Sequence, residues 1–241
     1  MKRACPASQY RSTMGDRTDS IREATPNDIP GIVTIHQKAF SNFFLTKLGS
    51  EFLRKYYSLV LNYRSGIILV SEGQTVVSDS AGLVSEPQTV LHGFACGFVD
   101  PAEFYQLMWR TKLNFALPVL SALVLHPSLI TKVLHGVQRI YTPSSEWPVR
   151  SCELSSIAVT PETAGFGVGK ILIRGFLTQA RSMGARCVYL TTDADGNDAV
   201  NAFYLDVGFQ HTRRFLQHEG RWMNEYVING LEATDGCETQ P

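Results

Sequence analysis

Three glycines at two-residue spacing, Gly165, Gly167 and Gly169, stand between an apolar run and a helix-like run in AVTPETAGFGVGKILIRGFL, residues 158–177. Glycines so placed let backbone N–H groups close around an anion at a helix N-terminus, so the chemistry they offer is the holding of a phosphate group. Three schemes compete. A P-loop needs Gly-x4-Gly-Lys-Ser/Thr, but Lys170 is followed by Ile171 and the position five before Gly169 is Ala164. A dinucleotide fingerprint needs a third glycine where Lys170 stands and an acid about twenty residues on. No Asp or Glu occurs between Glu162 and Asp193. The third scheme is a strand ending in Val159-Thr160-Pro161, then a loop and a helix whose first amides cradle a pyrophosphate. The residues suit it.

Such a loop needs elements to hold it. Leu154–Val159 reads as a strand, and Val168 to Arg181 as a helix with Val168, Ile171, Leu172, Gly175 and Phe176 on its apolar face and Gly184 as its stop. Cys187–Thr191 is a further strand, Asn197–Val207 a helix ended by Gly208, and Phe209–Leu216 with Trp222–Ile228 a closing hairpin around Glu219-Gly220. Upstream, Ile21–Thr25 is a short strand, and Thr25-Pro26-Asn27-Asp28 starts a helix carrying Ile29, Ile32, Val33, His36, Ala39 and Phe40. His36 falls within that stripe and is assigned to core packing. A helix from Ser50 places Phe52, Leu53, Tyr56, Tyr57 and Val60 on one face, and Ile67–Val70 and Val90–Val99 are strands joined by a long loop.

Pro101 to Tyr141 differs in texture: helical in composition, broken by Pro118 and Pro127, and nearly uncharged over Leu113–Ile130. It falls short of a membrane span. Helices packed over the sheet are one reading; an interfacial or acceptor-covering insertion flanked by Arg110, Lys112 and Lys132 is the other. His126 and His135 lack partners at metal spacing, and no metal site is expected.

The 241 residues carry 22 basic and 22 acidic side chains, so no net field favours nucleic acid as a partner. Five scattered cysteines form no metal or disulfide pattern, and the N-terminus has no signal-peptide core; a cytoplasmic location is expected. Residues 1–19 and 231–241 are expected to be disordered around a single domain spanning 20–230, with the helical insertion at about 101–141.

The glycine loop resembles that of the GNAT superfamily of acyl-CoA-dependent N-acyltransferases, Arg/Gln-x-x-Gly-x-Gly/Ala. Ala164-Gly165-Phe166-Gly167-Val168-Gly169 matches at both glycines and departs at Ala164. A second signature, Asn-x6-Tyr-x3-Gly-Phe, is matched in register by Asn197, Tyr204, Gly208 and Phe209. The resemblance is strong over residues 150–229. It implies an α+β fold, a three-layer α/β/α arrangement around a mixed, mostly antiparallel sheet splayed at the cofactor site. It also implies acetyl-CoA as acyl donor. Its diphosphate would lie on Ala164, Gly165, Phe166, Gly167, Val168, Gly169 and Lys170. The pantetheine arm would lie along Ile157, Ala158 and Val159, with Asn197 and Asn201 beside it. Ala164 supplies its amide as well as an arginine would, and Lys170 restores positive charge.

The resemblance further implies Glu153, at the start of the central strand, as the base that deprotonates an amine, and Tyr204 as the proton donor to the departing thiolate. For Glu153 a strand-end carboxylate paired to arginine or solvent is the competing assignment, and for Tyr204 a core tyrosine. Asn197 is expected to cap its helix. The acceptor is a primary amine of a small molecule. Segments such as FSNFFLTKLGSEFLRKYY and MNEYV resemble members associated with bacterial cell-surface polysaccharide assembly, which implies an amino sugar. Two alternatives stay open: a non-catalytic acyl-CoA-binding module, and a membrane-surface protein that uses the 101–141 insertion.

Overall fold

The computed structural model describes residues 12–14, 17–41, 43–75, 88–125, 127, 130, 150–217 and 220–231. In chain order the strands are β1 (Ser12–Met14), β2 (Arg17–Glu23), β3 (Gly66–Thr75), β4 (Gln88–Val99), β5 (Ser151–Val159), β6 (Cys187–Asp193), β7 (Gln210–Leu216) and β8 (Trp222–Asn229). They lie side by side as β1-β2-β3-β4-β5-β6-β8-β7. Every neighbouring pair is antiparallel except β5–β6. The sheet is therefore mixed and mostly antiparallel, as expected, and helices cover both faces.

One face carries α1 (Ile29–Ala39), α2 (Phe44–Lys47), α3 (Ser50–Asn62), α4 (Pro101–Arg110) and α5 (Leu113–Leu125). The other carries α6 (Val168–Ser182) and α7 (Asp198–Asp206). Strand alternation divides the residues between them: Phe94, Cys96 and Phe98 of β4 face α1 and α3, whereas Ala95 and Val99 face α6. The stripe Phe52, Leu53, Tyr56, Tyr57 and Val60 of α3 is wholly buried. On α6 the buried positions are Val168, Leu172, Ile173, Phe176 and Ala180, and Ile171 and Gly175 of the expected stripe lie half-buried.

Several boundaries move. The first expected strand starts earlier, at Arg17, and ends at Glu23. Thr25 then opens a short 3-10 turn, Pro26–Asp28, before α1. The Thr25 N–H and hydroxyl both donate to Asp28 Oδ2, at 2.7 and 2.8 Å, and the Arg22 guanidinium beside it holds the Asp28 carboxyl down at about 2. The β3–β4 hairpin runs out to Thr75 opposite Gln88, well into the stretch expected to be loop; residues 76–87 lie outside the described residues.

Pro118 does not break the chain where a break was expected. It is buried inside a continuous α5, in line with Phe115 and Ala122 against α3, with Phe52 and Phe115 in ring contact at 5.3 Å. Burial on that face outweighs the one backbone hydrogen bond that proline removes. The opposite side of α5 exposes Leu113, Leu117, Leu120 and Val124. The helix is described as far as Leu125. His126 and His135 lie outside the described residues. No described helix is long and apolar enough to cross a membrane.

Candidate active site

The glycine turn has the geometry the spacing implied. Gly165 and Gly167 take φ of +85° and +83°, conformations that residues with a Cβ rarely adopt, and a Cβ at either would meet open space. Gly169 has another purpose. A Cβ there would sit 3.3 Å from the Phe203 ring, so this glycine lets α6 and α7 approach each other. The first backbone bond of α6 runs from Ile171 N–H to Gly167 O at 3.1 Å. The N–H groups of Val168, Gly169 and Lys170 are thus left at the positive end of the helix dipole, without partners inside the helix. Open space, bare amides and a dipole fit a diphosphate. Ala164 and Phe166 are exposed in the turn, and Val168 is buried beneath it. Lys170 is engaged elsewhere: its ammonium pairs with Asp206 of α7 at 2.6 Å. The charge expected to compensate for Ala164 is therefore partly neutralised.

Beside this turn the sheet opens. β5 and β6 pair at only three positions, Ser151↔Cys187, Cys152↔Val188 and Glu153↔Tyr189, and then diverge. From there β5 remains bonded to β4 as far as Val159, while β6 remains bonded to β8. A wedge results, with its apex at Glu153 and its mouth beside the glycine turn. Thr160 N–H donates to His92 O at 2.7 Å, on the β4 side. By strand alternation the peptide groups of Val159 and Ile157 turn into the wedge and that of Ala158 turns to β4. Of the three residues expected along an extended ligand, two therefore offer free backbone groups. A bulge lies next to them: Gly97 opposes Leu154 and Cys96 opposes Ser156, leaving Ser155 without a partner on β4.

Glu153 sits at the apex on the α3–α4 face, opposite Phe98, and is 8% exposed. Among the described residues no arginine pairs with it, and little of it meets solvent. Tyr105 of α4 donates to Oε1 at 2.9 Å, and Tyr189 of β6 donates to Oε2 at 2.9 Å. A carboxylate keeps further lone pairs beyond those two bonds, so it can still take a proton through a water. The backbone is tight here. A Cβ on Gly97 would collide with Glu153 O and come within 2.6 Å of Phe176 Cζ, so only glycine lets β4 lie against this part of β5.

Two hydroxyl chains tie the bulge to the helices above it. Tyr56 reaches Ser155 at 2.6 Å, and Tyr57 bridges Ser156, at 3.2 Å, to His36 Nδ1, at 2.6 Å. His36 is core, as expected. Burial pushes its pKa down to about 4, so the imidazole is neutral, and its Nε2 finds no partner among the described residues. Residue pattern did not single out Tyr105, Tyr189, Ser155 or Ser156 as site residues. Only the β5–β6 register and the docking of α4 bring Tyr189 and Tyr105 to Glu153.

On the other side of the wedge, Tyr204 of α7 is buried against Phe203, Phe209 and Tyr226. Burial, with the neighbouring Tyr226, pushes its phenol well above the ordinary tyrosine value, so the proton stays on the oxygen. Asn197 stands at the N-terminus of α7 but makes no side-chain cap. Its amide nitrogen donates instead to Thr192 Oγ1 and Asp193 O, fastening the end of β6. Asn201 is fully engaged: it donates to Asp193 O and Asn197 O and accepts from Asn224 and Tyr226. Its side chain is occupied in holding α7 to β6 and β8.

Arg221, where the β7–β8 connection enters β8, reaches Phe43 between α1 and α2. The Arg221 guanidinium lies 5.1 Å from the Phe43 ring and pairs with Asp193 at the end of β6. Among the described residues no cluster of His, Cys, Asp or Glu could hold a metal ion.

Residues 135–209 match the model of the acetyltransferase (GNAT) family. No curated protein matches the sequence. Among solved structures, NAA60 of Arabidopsis thaliana in complex with acetyl-CoA is 18% identical, covering 88% of this chain and 98% of its own, with a TM-score of 0.52. Ard1 of Thermoplasma volcanium is 16% identical, covering 89% and 99%, with a TM-score of 0.52. An N-acetyltransferase of Staphylococcus aureus Mu50 is 15% identical, covering 89% and 99%, also at 0.52. At these identities the likeness concerns architecture. The splayed sheet, the glycine turn at its mouth and the match over residues 135–209 agree on one conclusion: this chain has the GNAT fold.

Proposed function

We propose that the protein transfers an acetyl group from acetyl-CoA to the primary amine of a small molecule. The observation that carries the reading is a buried carboxylate, Glu153, without a cationic partner among the described residues, at the apex of a wedge whose mouth is an amide-lined anion cradle. The diphosphate lies on the amides of residues 167–170, and the pantetheine arm adds to the free edge of β5 through Ile157 and Val159. The thioester then lies beside β5, where the Ile157 N–H can meet the negative charge that develops on its oxygen. Glu153 takes the proton of the attacking ammonium through a water. Tyr204 donates a hydrogen bond to the leaving sulfur. With its phenol raised above a thiol of about 8.5, complete proton transfer is uphill, so stabilising the thiolate by hydrogen bonding is its part.

The contact between Arg221 and Phe43 favours a small acceptor on this reading, because it ties the ends of β6 and β8 to the α1–α2 connection. An amino sugar falls within that class, and a cytoplasmic site of action fits an acetyl-CoA-dependent reaction. Acetyl-CoA consumption measured across small amines, amino sugars and peptides tests the reading. Turnover is expected with small primary amines. Turnover with peptides alone would remove the small-molecule acceptor, and acetyl-CoA binding without any turnover would leave a non-catalytic acyl-CoA module. The exposed Leu113, Leu117, Leu120 and Val124 of α5 favour a second, compatible property, peripheral contact with a membrane surface, checked by cosedimentation with liposomes.

Tyr204→Phe gives a narrower check. It should lower kcat about tenfold while the acetyl-CoA Kd, read by calorimetry, stays within about twofold.

A further inference from the structure

The chain leaves β4 at Asp100 and rejoins β5 at Arg150, both with left-handed φ, of 56° and 67°. Asp100 N–H donates to Ser151 O at 2.9 Å, and Arg150 N–H donates to Asp100 Oδ1 at 3.2 Å. The excursion between them therefore departs from a closed β4–β5 corner, and the sheet does not need it to complete that hairpin. Its first helix nevertheless enters the site. α4 is docked by Phe104, fully buried and stacked on Phe98 at 3.9 Å. Tyr105 is held edge-on to the same Phe98 ring at 5.6 Å, which leaves its hydroxyl on Glu153 Oε1.

The two hydroxyls on Glu153 have different origins. Tyr189 is the register partner of Glu153 in the last parallel pair before the wedge opens, so its bond comes with the sheet. Tyr105 comes only with the excursion. We infer that Tyr105 is a positioning residue for Glu153: the excursion helix completes the base, in addition to any part it has in covering the acceptor. The inference rests on the acetyl-transfer reading above.

The physical argument is one of charge and aim. The base must be an anion when the amine arrives, yet it lies in a pocket with no cation to stabilise it among the described residues. Two phenol donors supply that stabilisation. They also hold both oxygens, so the orientation of the carboxylate and of its remaining lone pairs is set. When Glu153 takes the proton it becomes a carboxylic acid, and the phenol protons stay where they are. Without the Tyr105 hydroxyl, Oε1 loses its donor and the carboxylate its single orientation.

A double-mutant cycle between Tyr105→Phe and Glu153→Gln tests this. Each variant is assayed for kcat, for KM of the amine and for acetyl-CoA Kd by calorimetry. Phenylalanine keeps the ring contacts with Phe98 and Phe104, and thermal melting checks that the fold is intact. In the wild-type background Tyr105→Phe should lower kcat about tenfold or more, with acetyl-CoA Kd and amine KM within about twofold. In the Glu153→Gln background the same change should have almost no further effect, because its path to the reaction is gone. An equal kcat loss in both backgrounds, a loss confined to amine KM, or a kcat equal to wild type would overturn the positioning role. A wild-type protein that binds acetyl-CoA but acetylates no amine would overturn the transfer reading itself, and with it this one.

Discussion

Glu153→Gln should cut kcat by about 10²- to 10³-fold near neutral pH and leave acetyl-CoA binding within about twofold of wild type. The substitution keeps size and position at the wedge apex but removes the carboxylate proposed to accept the ammonium proton. The cradle proposed to hold the cofactor lies at the far end of β5, so affinity should not follow the rate. The deficit should also depend on pH. As pH approaches the acceptor amine's own pKa, more of the amine arrives already unprotonated and the base matters less, so the variant should recover towards wild type on the alkaline side. Steady-state kinetics from pH 6.5 to 10, as roughly spaced points, would show this converging pair of curves. Parallel curves, or an unchanged kcat, would take the base role away from Glu153.

Gly167→Glu should have its large effect on the other observable. At φ +83° any side chain is strained, by about 1–2 kcal/mol, and glutamate adds a negative charge where the diphosphate is to lie. Acetyl-CoA Kd is expected to rise by at least about 100-fold. The fold should survive, since a Cβ at this position meets open space, and Tm should fall by roughly 2–8 °C. Gly167→Asn separates strain from charge: asparagine tolerates the left-handed conformation and carries no charge, so its Kd should rise much less. Calorimetry on both variants decides it. Equal affinities for the glutamate variant and wild type would mean that the anion sits elsewhere.

Much of this architecture is written in local pattern. The α3 stripe Phe52, Leu53, Tyr56, Tyr57 and Val60 has one spacing and one buried face. The glycine turn is legible because positive φ selects glycine at Gly165 and Gly167, and the role of Gly169 differs because its constraint comes from Phe203 on another helix. The wedge was implied by resemblance alone; periodicity carries no information about where two strands part. The surroundings of Glu153 are hardest to foresee. Tyr105 and Tyr189 lie 48 and 36 residues away from it in sequence, and only register and helix docking bring them together. Pro118 shows the converse failure, a local rule overridden by burial on α3. Asn197 matches a motif position and Asn201 was expected beside the same ligand, yet their amides are spent on β6, β8 and α7 itself.

The corner formed by Asp100 and Arg150 bears on how such a chain can change. Both gateposts of the excursion are tied to each other, by the Asp100–Ser151 and Arg150–Asp100 bonds. Because the corner is closed by its own bonds, a change in length between α5 and Arg150 adds chiefly the slowly growing entropy of a longer connection, about 0.6 kcal/mol per doubling. On the reading proposed above, acceptor preference and cofactor grip can therefore drift independently, provided that α4 keeps the hydroxyl that Tyr105 places on Glu153.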